Sequence, residues 1–202
     1  MRIAPAMLAA ALALTALPLA SPTAVPVAAA DGSCTDWSST TEPPPEIRVY
    51  RVNQGFVETV PFKTYVKRVA SREWDVKQGA LRKAGAHAVK QYAWYHVLNW
   101  RGGMYEGECF DVRDSTADQL YSAKPLRQIP RRIKRAVNRT WSWRLFRGDK
   151  FIMTGYQLGK KGMECAEDAG YRLRVRSARK CANLGWSAGK ILEVYYTAEL
   201  FK

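Results

Sequence analysis

Glu73 is the residue of this chain best placed to carry chemistry. It ends the run YVKRVASREW, and after a short break the chain resumes as ALRKAGAHAVKQYAWYHVLNW, both with apolar residues at helical spacing. A carboxyl group held where one helix ends and a second begins can give and take a proton if its pKa is raised towards neutrality. The negative end of the helix dipole and a desolvating Trp74 push that way, while Arg72 and Lys77 oppose them. The plain alternative is a helix-end carboxylate paired with Lys77 or an arginine. His87 and His96 lie too far apart on one helix to share a face, and there is no Cys-x-x-Cys pair. Neither a metal nor a cofactor is therefore expected.

The elements that must position Glu73 can be read in order. Residues 1–30 resemble a secretory leader: Arg2, an apolar run from Met7 to Leu14, and Ala28-Ala29-Ala30 as a cleavage site, with prolines too frequent for a membrane span. Residues 31–46 are polar and end in three prolines, as a tail or spacer that Cys34 could pin. Residues 47–202 form the domain. Strands are expected at 47–52 and 56–60, with a helix from Pro61 to about Glu73. A long helix is expected at 79–100, burying Leu81, Ala84, Ala88, Tyr92, Tyr95 and Asn99 and ended by Gly102-Gly103. A loop-rich stretch at 104–124 leads to a helix opened by Pro130, a hairpin at 143–154, a glycine- and charge-rich loop at 155–170 and two closing helices. The expectation is one mixed α+β domain, its central long helix packed on short antiparallel strands.

The chain has 202 residues and a formal net charge of +14, which falls only to +13 without residues 1–30. Such a surface seeks polyanions, and in an exported protein anionic wall polymers, teichoic acids among them, are the nearest. Signatures of RNA-binding modules are absent, and no nucleic-acid partner or membrane span after leader cleavage is expected. Cys34, Cys109, Cys165 and Cys181 allow three disulfide connectivities, of which Cys34–Cys109 with Cys165–Cys181 is favoured. The basic row from Arg127 to Arg139 is either a solvated face or an anchor for such a polymer.

Four blocks, in order, carry a resemblance: VPFKTYVKRVASREW, KAGAHAVKQYAWYH, CFDVRDSTADQLY and RSARKCANLGWSAGKILEVYY. They resemble the Val-Pro, Tyr-Val and Ser-x-Glu signature, the Ala-rich helix with a basic residue before Tyr-Ala, the Asp-x-Thr-x-x-Gln-x-Tyr loop and the Ile-Leu-x-x-Tyr-Tyr ending of the SpoIID/LytB family. That family comprises stage II sporulation protein D and the amidase enhancers. The resemblance spans about residues 47–197 and implies a secreted or wall-located protein acting on peptidoglycan, in sporulation or elsewhere. It implies lytic transglycosylase activity with Glu73 as the catalytic acid/base. Asp114, Thr116, Gln119 and Tyr121 fall on the family's loop positions and could bind sugar hydroxyls or N-acetyl groups, or else brace their own loop. Tyr92, Trp94 and Tyr95 could stack on sugar rings or fill a core, and Lys90 could meet a wall carboxylate or be solvated.

The chain departs from the family's pattern in places. Arg113 and Ala117-Asp118 stand where some relatives hold zinc, and the Gly-His-Gly and Ser-Gln-Trp/Tyr-Gly motifs are missing, with Ser177-Ala178-Arg179 in place of the latter. Two functions remain in view: a transglycosylase working through Glu73, and a catalytically idle glycan binder that recruits or stimulates a cell-wall amidase.

Overall fold

The computed structural model describes Cys34, Thr35 and residues 37–202, so the expected leader lies outside the described residues. Strands β1 (Glu46–Arg51) and β2 (Phe56–Pro61) form an antiparallel hairpin that feeds directly into helix α1 (Phe62–Glu73). Pro61 is the N-cap of α1, where its missing N–H costs nothing. Phe62, Tyr65, Val66, Val69 and Ala70 form the buried face of α1.

Helix α2 (Gly79–Leu98) is the axis of the domain. It packs on α1, on α3 (Arg131–Arg139), on α4 (Val175–Asn183) and on α5 (Ala188–Tyr196), as well as on the short strand β8 (Gly155–Gln157). Neighbours on so many sides explain why its burial is not confined to one stripe: Gly85, His87, Val89, Lys90, Gln91 and Trp94 are buried along with Leu81, Ala84 and Ala88. Tyr92 and Tyr95 are half-buried, and Asn99 is the exposed C-cap. The expected helix therefore stops short of Trp100, which takes a positive φ of 34°.

The strands are more numerous and less uniformly antiparallel than the sequence suggests. The segment read as loop holds β3 (Gly103–Tyr105) paired antiparallel with β4 (Glu108–Phe110), then β5 (Val112–Arg113), which pairs parallel with β1. The expected hairpin is β6 (Arg144–Arg147) with β7 (Lys150–Phe151), extended by a chain-terminal strand β10 (Glu199–Phe201) on β6. Strand β8 pairs parallel with β9 (Arg172–Arg174). Strands of two or three residues show no alternation that a sequence could reveal. The α+β class is as expected, but α2 rests chiefly on helices.

Cys34–Cys109 and Cys165–Cys181 are the disulfides, with Cα separations of 5.7 and 4.8 Å. Both fit a protein of an oxidising compartment. No helix among the described residues is long and apolar enough to cross a membrane. The polar segment before β1 is laid along α2: Trp94 Nε1 donates to the Ser39 carbonyl at 2.9 Å and Thr35 Oγ1 to that of Val97 at 2.6 Å.

The α1–α2 junction depends on one close approach. A Cβ at Gly85 would lie 2.0 Å from the Trp74 ring, and both residues are buried. Gly85→Ala is expected to destabilise the protein by about 3 kcal/mol or more, because neither the indole nor the helix can give way. A thermal melt should show a drop of roughly 6 °C or more. Gly148→Ala, in open space at a turn with φ of 54°, should cost only the strain of that backbone conformation and lower the melting point less.

Candidate active site at Glu73

Glu73 is the last residue of α1, half-buried, with Trp74 behind it as the C-cap. Its carboxylate is held at both oxygens. Oε1 accepts the Leu120 N–H at 2.7 Å, and Oε2 accepts the Tyr156 hydroxyl. Burial raises the Glu73 pKa above the ordinary glutamate value, and the hydrogen bonds from Tyr156 and Leu120 pull against it without cancelling it. Neither Lys77 nor Arg72 forms an ion pair with Glu73. The plain helix-end pairing is not how this carboxylate is satisfied.

Gln119 extends the network. Its amide oxygen accepts the Tyr65 hydroxyl at 2.9 Å, and its Nε2 donates to the Tyr156 hydroxyl oxygen at 3.1 Å and to the Val89 carbonyl at 3.3 Å. The amide is buried and fully engaged within the protein, so Gln119 orients Tyr156 instead of facing a ligand. Tyr156 follows Thr154, whose Oγ1 donates to the Ala88 carbonyl at 2.8 Å, and the Gly155 carbonyl accepts from Tyr196 at 3.0 Å. Trp74 meets the Tyr156 ring edge-on, centroids 5.1 Å apart. Burial, then the charge of Glu73, hold the Tyr156 phenol far above its ordinary pKa, so it stays a donor to the carboxylate.

Two depressions flank the segment from Ser115 to Leu120. One, of about 460 Å³, is lined by Arg51, Arg72, Asp114, Thr116, Leu120 and Tyr121 among others. The second, of about 400 Å³, is lined by Tyr92, Thr116, Asp118, Tyr156, Tyr171 and Arg172 among others. Thr116, exposed, belongs to both. Glu73 links the two, because one of its partners lines the first depression and the other lines the second.

The remaining expected residues divide by geometry. Asp114 braces its own loop: Oδ2 pairs with Arg51 Nε at 2.8 Å and Oδ1 accepts the Val52 N–H at 2.8 Å. Tyr121 is buried against Tyr65, centroids 5.4 Å apart, and its hydroxyl donates to Glu58 at 3.1 Å while accepting from Arg68. Burial and the charge of Glu58 push its phenol up to about 12. Tyr92 lines the second depression and donates to Asp118 Oδ1 at 3.3 Å.

Lys90 is neither a ligand for wall carboxylates nor solvated. It is 1% exposed, and its ammonium donates to the carbonyls of Trp141, at 2.8 Å, and of Trp143 and Thr140, beyond the C-terminus of α3. Burial and the nearby Arg144 lower its pKa to about 7. Trp94 is likewise core, packed on Phe151. His87 and His96 are buried packing residues, and among the described residues no group of three or more His, Cys, Asp and Glu could hold a metal ion.

Tyr156 is the site residue that sequence reading misses. It sits in a run, TGYQLG, with no periodicity and no recognised motif. Contacts distant in sequence, the packing of β8 on α2 and its pairing with β9 among them, bring it to Glu73 from 83 positions along the chain. No protein-family model matches this chain, and no curated protein matches it.

The raised pKa has a consequence for stability. In the unfolded chain Glu73 ionises in the ordinary glutamate range. In the fold it ionises at higher pH, so its charge costs stability: nothing below the unfolded value, and the full amount above the folded one. Glu73→Gln keeps the shape and the acceptor for Leu120. The mutant is expected to gain on the wild type as pH rises from 4 to 7, by on the order of 2 °C or more in melting temperature. A difference that is flat or falls over that range would contradict a desolvated, raised carboxyl.

Proposed function

We propose that this protein cleaves the glycan strands of peptidoglycan as a lytic transglycosylase, with Glu73 as its single acid and base. The observation that carries the reading is a desolvated glutamate with a raised pKa, fixed by Leu120 and Tyr156 between two surface depressions. It supports the role that the Ser-x-Glu resemblance implies for the same residue.

The chemistry needs one group in two protonation states. Neutral Glu73 gives its proton to the glycosidic oxygen as the carbon–oxygen bond breaks. The resulting carboxylate takes the proton of the sugar 6-hydroxyl, whose oxygen closes onto the anomeric carbon. No water is consumed, so no second carboxylate is needed to activate one, unlike in hydrolytic glycosidases. Thr116, exposed and shared by both depressions, is a polar side chain placed to meet sugar hydroxyls, and Tyr92 and Tyr171 offer rings in the second.

One observation favours the second reading, a glycan-binding amidase enhancer without catalysis. Both Glu73 oxygens are taken by protein donors, and Glu73 is not among the residues lining either depression. A carboxylate so placed could serve to fasten Leu120 and Tyr156 together.

Digestion of purified peptidoglycan, read by mass spectrometry, separates the two. Wild-type protein should release anhydro-muramyl ends, and Glu73→Gln should release at least about a thousandfold fewer. Silence from both proteins, with retained binding to sacculi, would support the enhancer reading.

Tyr156→Phe adds a second test. Its hydroxyl helps to hold the Glu73 pKa down, so its loss should raise that pKa further and keep the acid form to higher pH. The alkaline limb of the pH–rate profile should move to higher pH. A limb that stays in place would remove Tyr156 from the titration of Glu73.

A further inference from the structure

A third hollow lies away from Glu73, between the first turns of α2 and one face of α3. It has a volume of about 340 Å³, and five of the eight residues lining it are cationic: Arg82, Lys83, Arg132, Arg135 and Arg139. Among the described residues, only Arg132 of these five has a carboxylate partner, Asp75, which it grips through Nε and Nη2 at 2.6 and 2.7 Å. Arg82 is directed by its own bond to the Val76 carbonyl at 2.6 Å. Lys83, Arg135 and Arg139 form no ion pair with any described acidic side chain. Gly79, Ala80 and Ala136 are the other lining residues, so nothing bulky occupies the space between the cations.

Gathering this many like charges around one hollow is unfavourable unless an anion offsets them. The arrangement also differs from a helix face shedding charge into solvent, because the cations come from two elements and converge. Arginine forks suit tetrahedral oxyanions, which they contact in pairs of hydrogen bonds. Arg131 and Lys134 continue the basic surface along α3 beyond the cavity. Lys67 of α1 lies near enough to Lys134 to have its pKa lowered by burial and then by Lys63 and Lys134. Five cations at the cavity and two more along α3 exceed what one phosphate group needs, as a polymer would require. No aromatic side chain lines the cavity, so it offers no platform on which nucleobases could stack.

We propose that the α2–α3 cavity binds the phosphate groups of a base-free phosphodiester polymer, of the polyol-phosphate type, and thereby tethers the protein to an anionic matrix. This site is separate from Glu73 and stands whether or not the protein cleaves glycan. Asp75 holds Arg132 in place for the anion, while Lys83, Arg135 and Arg139 supply the uncompensated charge.

The test is binding of a synthetic poly(glycerol phosphate) by calorimetry at several salt concentrations. The variants are Arg135→Gln/Arg139→Gln and, as a control with the same loss of charge elsewhere, Lys160→Gln/Lys161→Gln on an exposed loop. Thermal melts verify that each variant is folded. The α3 pair should weaken binding roughly tenfold or more near 0.1 M salt and reduce the salt slope by about 1.5, as expected for two lost phosphate contacts. The loop pair should do far less, and Glu73→Gln should bind like the wild type, so that failure of the catalytic reading would leave this one intact. Equal weakening by both pairs would reduce the effect to net charge and overturn the site, as would no weakening by either. An oligothymidylate of equal phosphate number serves as the nucleic-acid arm. If it binds as tightly and with the same dependence on Arg135 and Arg139, the base-free assignment falls.

Discussion

The burial of Trp74 against Gly85 is the contact on which the candidate site depends. The indole fills the space a side chain at residue 85 would need, and this lets the end of α1 press against α2. That approach brings Glu73, one residue before Trp74, into a partly dehydrated position it could not hold at an ordinary helix end. The same indole presents its flank to Tyr156, so one side chain fixes both partners of the carboxylate–phenol hydrogen bond. The alanines and glycines of α2 are therefore less a matter of helix propensity than of distance. They allow α1, α3, α4 and α5 to close on one axis, and the strands are left to hold loops in place at the rim.

Charge does the work at that rim. Asp111 accepts the backbone N–H of Arg48 at 2.8 Å and its guanidinium through both oxygens, and three residues on, Asp114 treats Arg51 and the N–H of Val52 in the same way. The pairs repeat along β1 and along the segment around β5, and they clamp a parallel pairing of only two residues per strand. Ion pairs exposed to solvent contribute little, but these acids are nearly enclosed and also accept main-chain donors, so breaking one would leave a buried charge unpaired. The Ser115–Leu120 segment, with the Leu120 N–H that reaches Glu73, is suspended between this clamp and Gln119. Asp114 thus contributes to the site through the loop it holds. Lys90 acts similarly on the far side of α2, where it gathers the carbonyls that follow α3.

How much of this was legible in the sequence follows from which forces are local. Helix α1, its end near Glu73 and the β1–β2 turn rest on residues close in sequence and could be read directly, while Pro61, expected as the first helical residue, is instead the N-cap, one position before the helix. The two disulfides matched the favoured pairing. The α+β class was legible too, but the parallel pairings of β5 with β1 and β9 with β8 were not, because strands of two or three residues are defined by their partners. Lys90 was misread for a related reason. A lysine in an Ala-rich run looks solvent-facing until the carbonyls beyond α3, some fifty positions away, are placed over it. Tyr156 left no signal at all, since its importance is a matter of position alone.

The tension within Glu73 is what a single acid/base requires. Two good donors favour its ionised form, and burial favours the neutral one. Were the donors absent, the pKa would climb further and the group would hold its proton too tightly to be a ready acid; were the burial absent, it would be an ordinary carboxylate, ionised throughout the neutral range. The net upward shift means that dehydration prevails without silencing the donors. Gln119 sharpens the balance, because by donating to the Tyr156 oxygen it leaves that phenol's own proton directed at Glu73. A substrate oxygen that reached Oε2 would compete with Tyr156 for that position, and the phenol, held by Gln119 and edge-on to Trp74, could keep its ring in place while its proton turned away. The same pair of contacts that would make Glu73 a mere fastener between two loops would, with one hydrogen bond exchanged, make it a proton carrier.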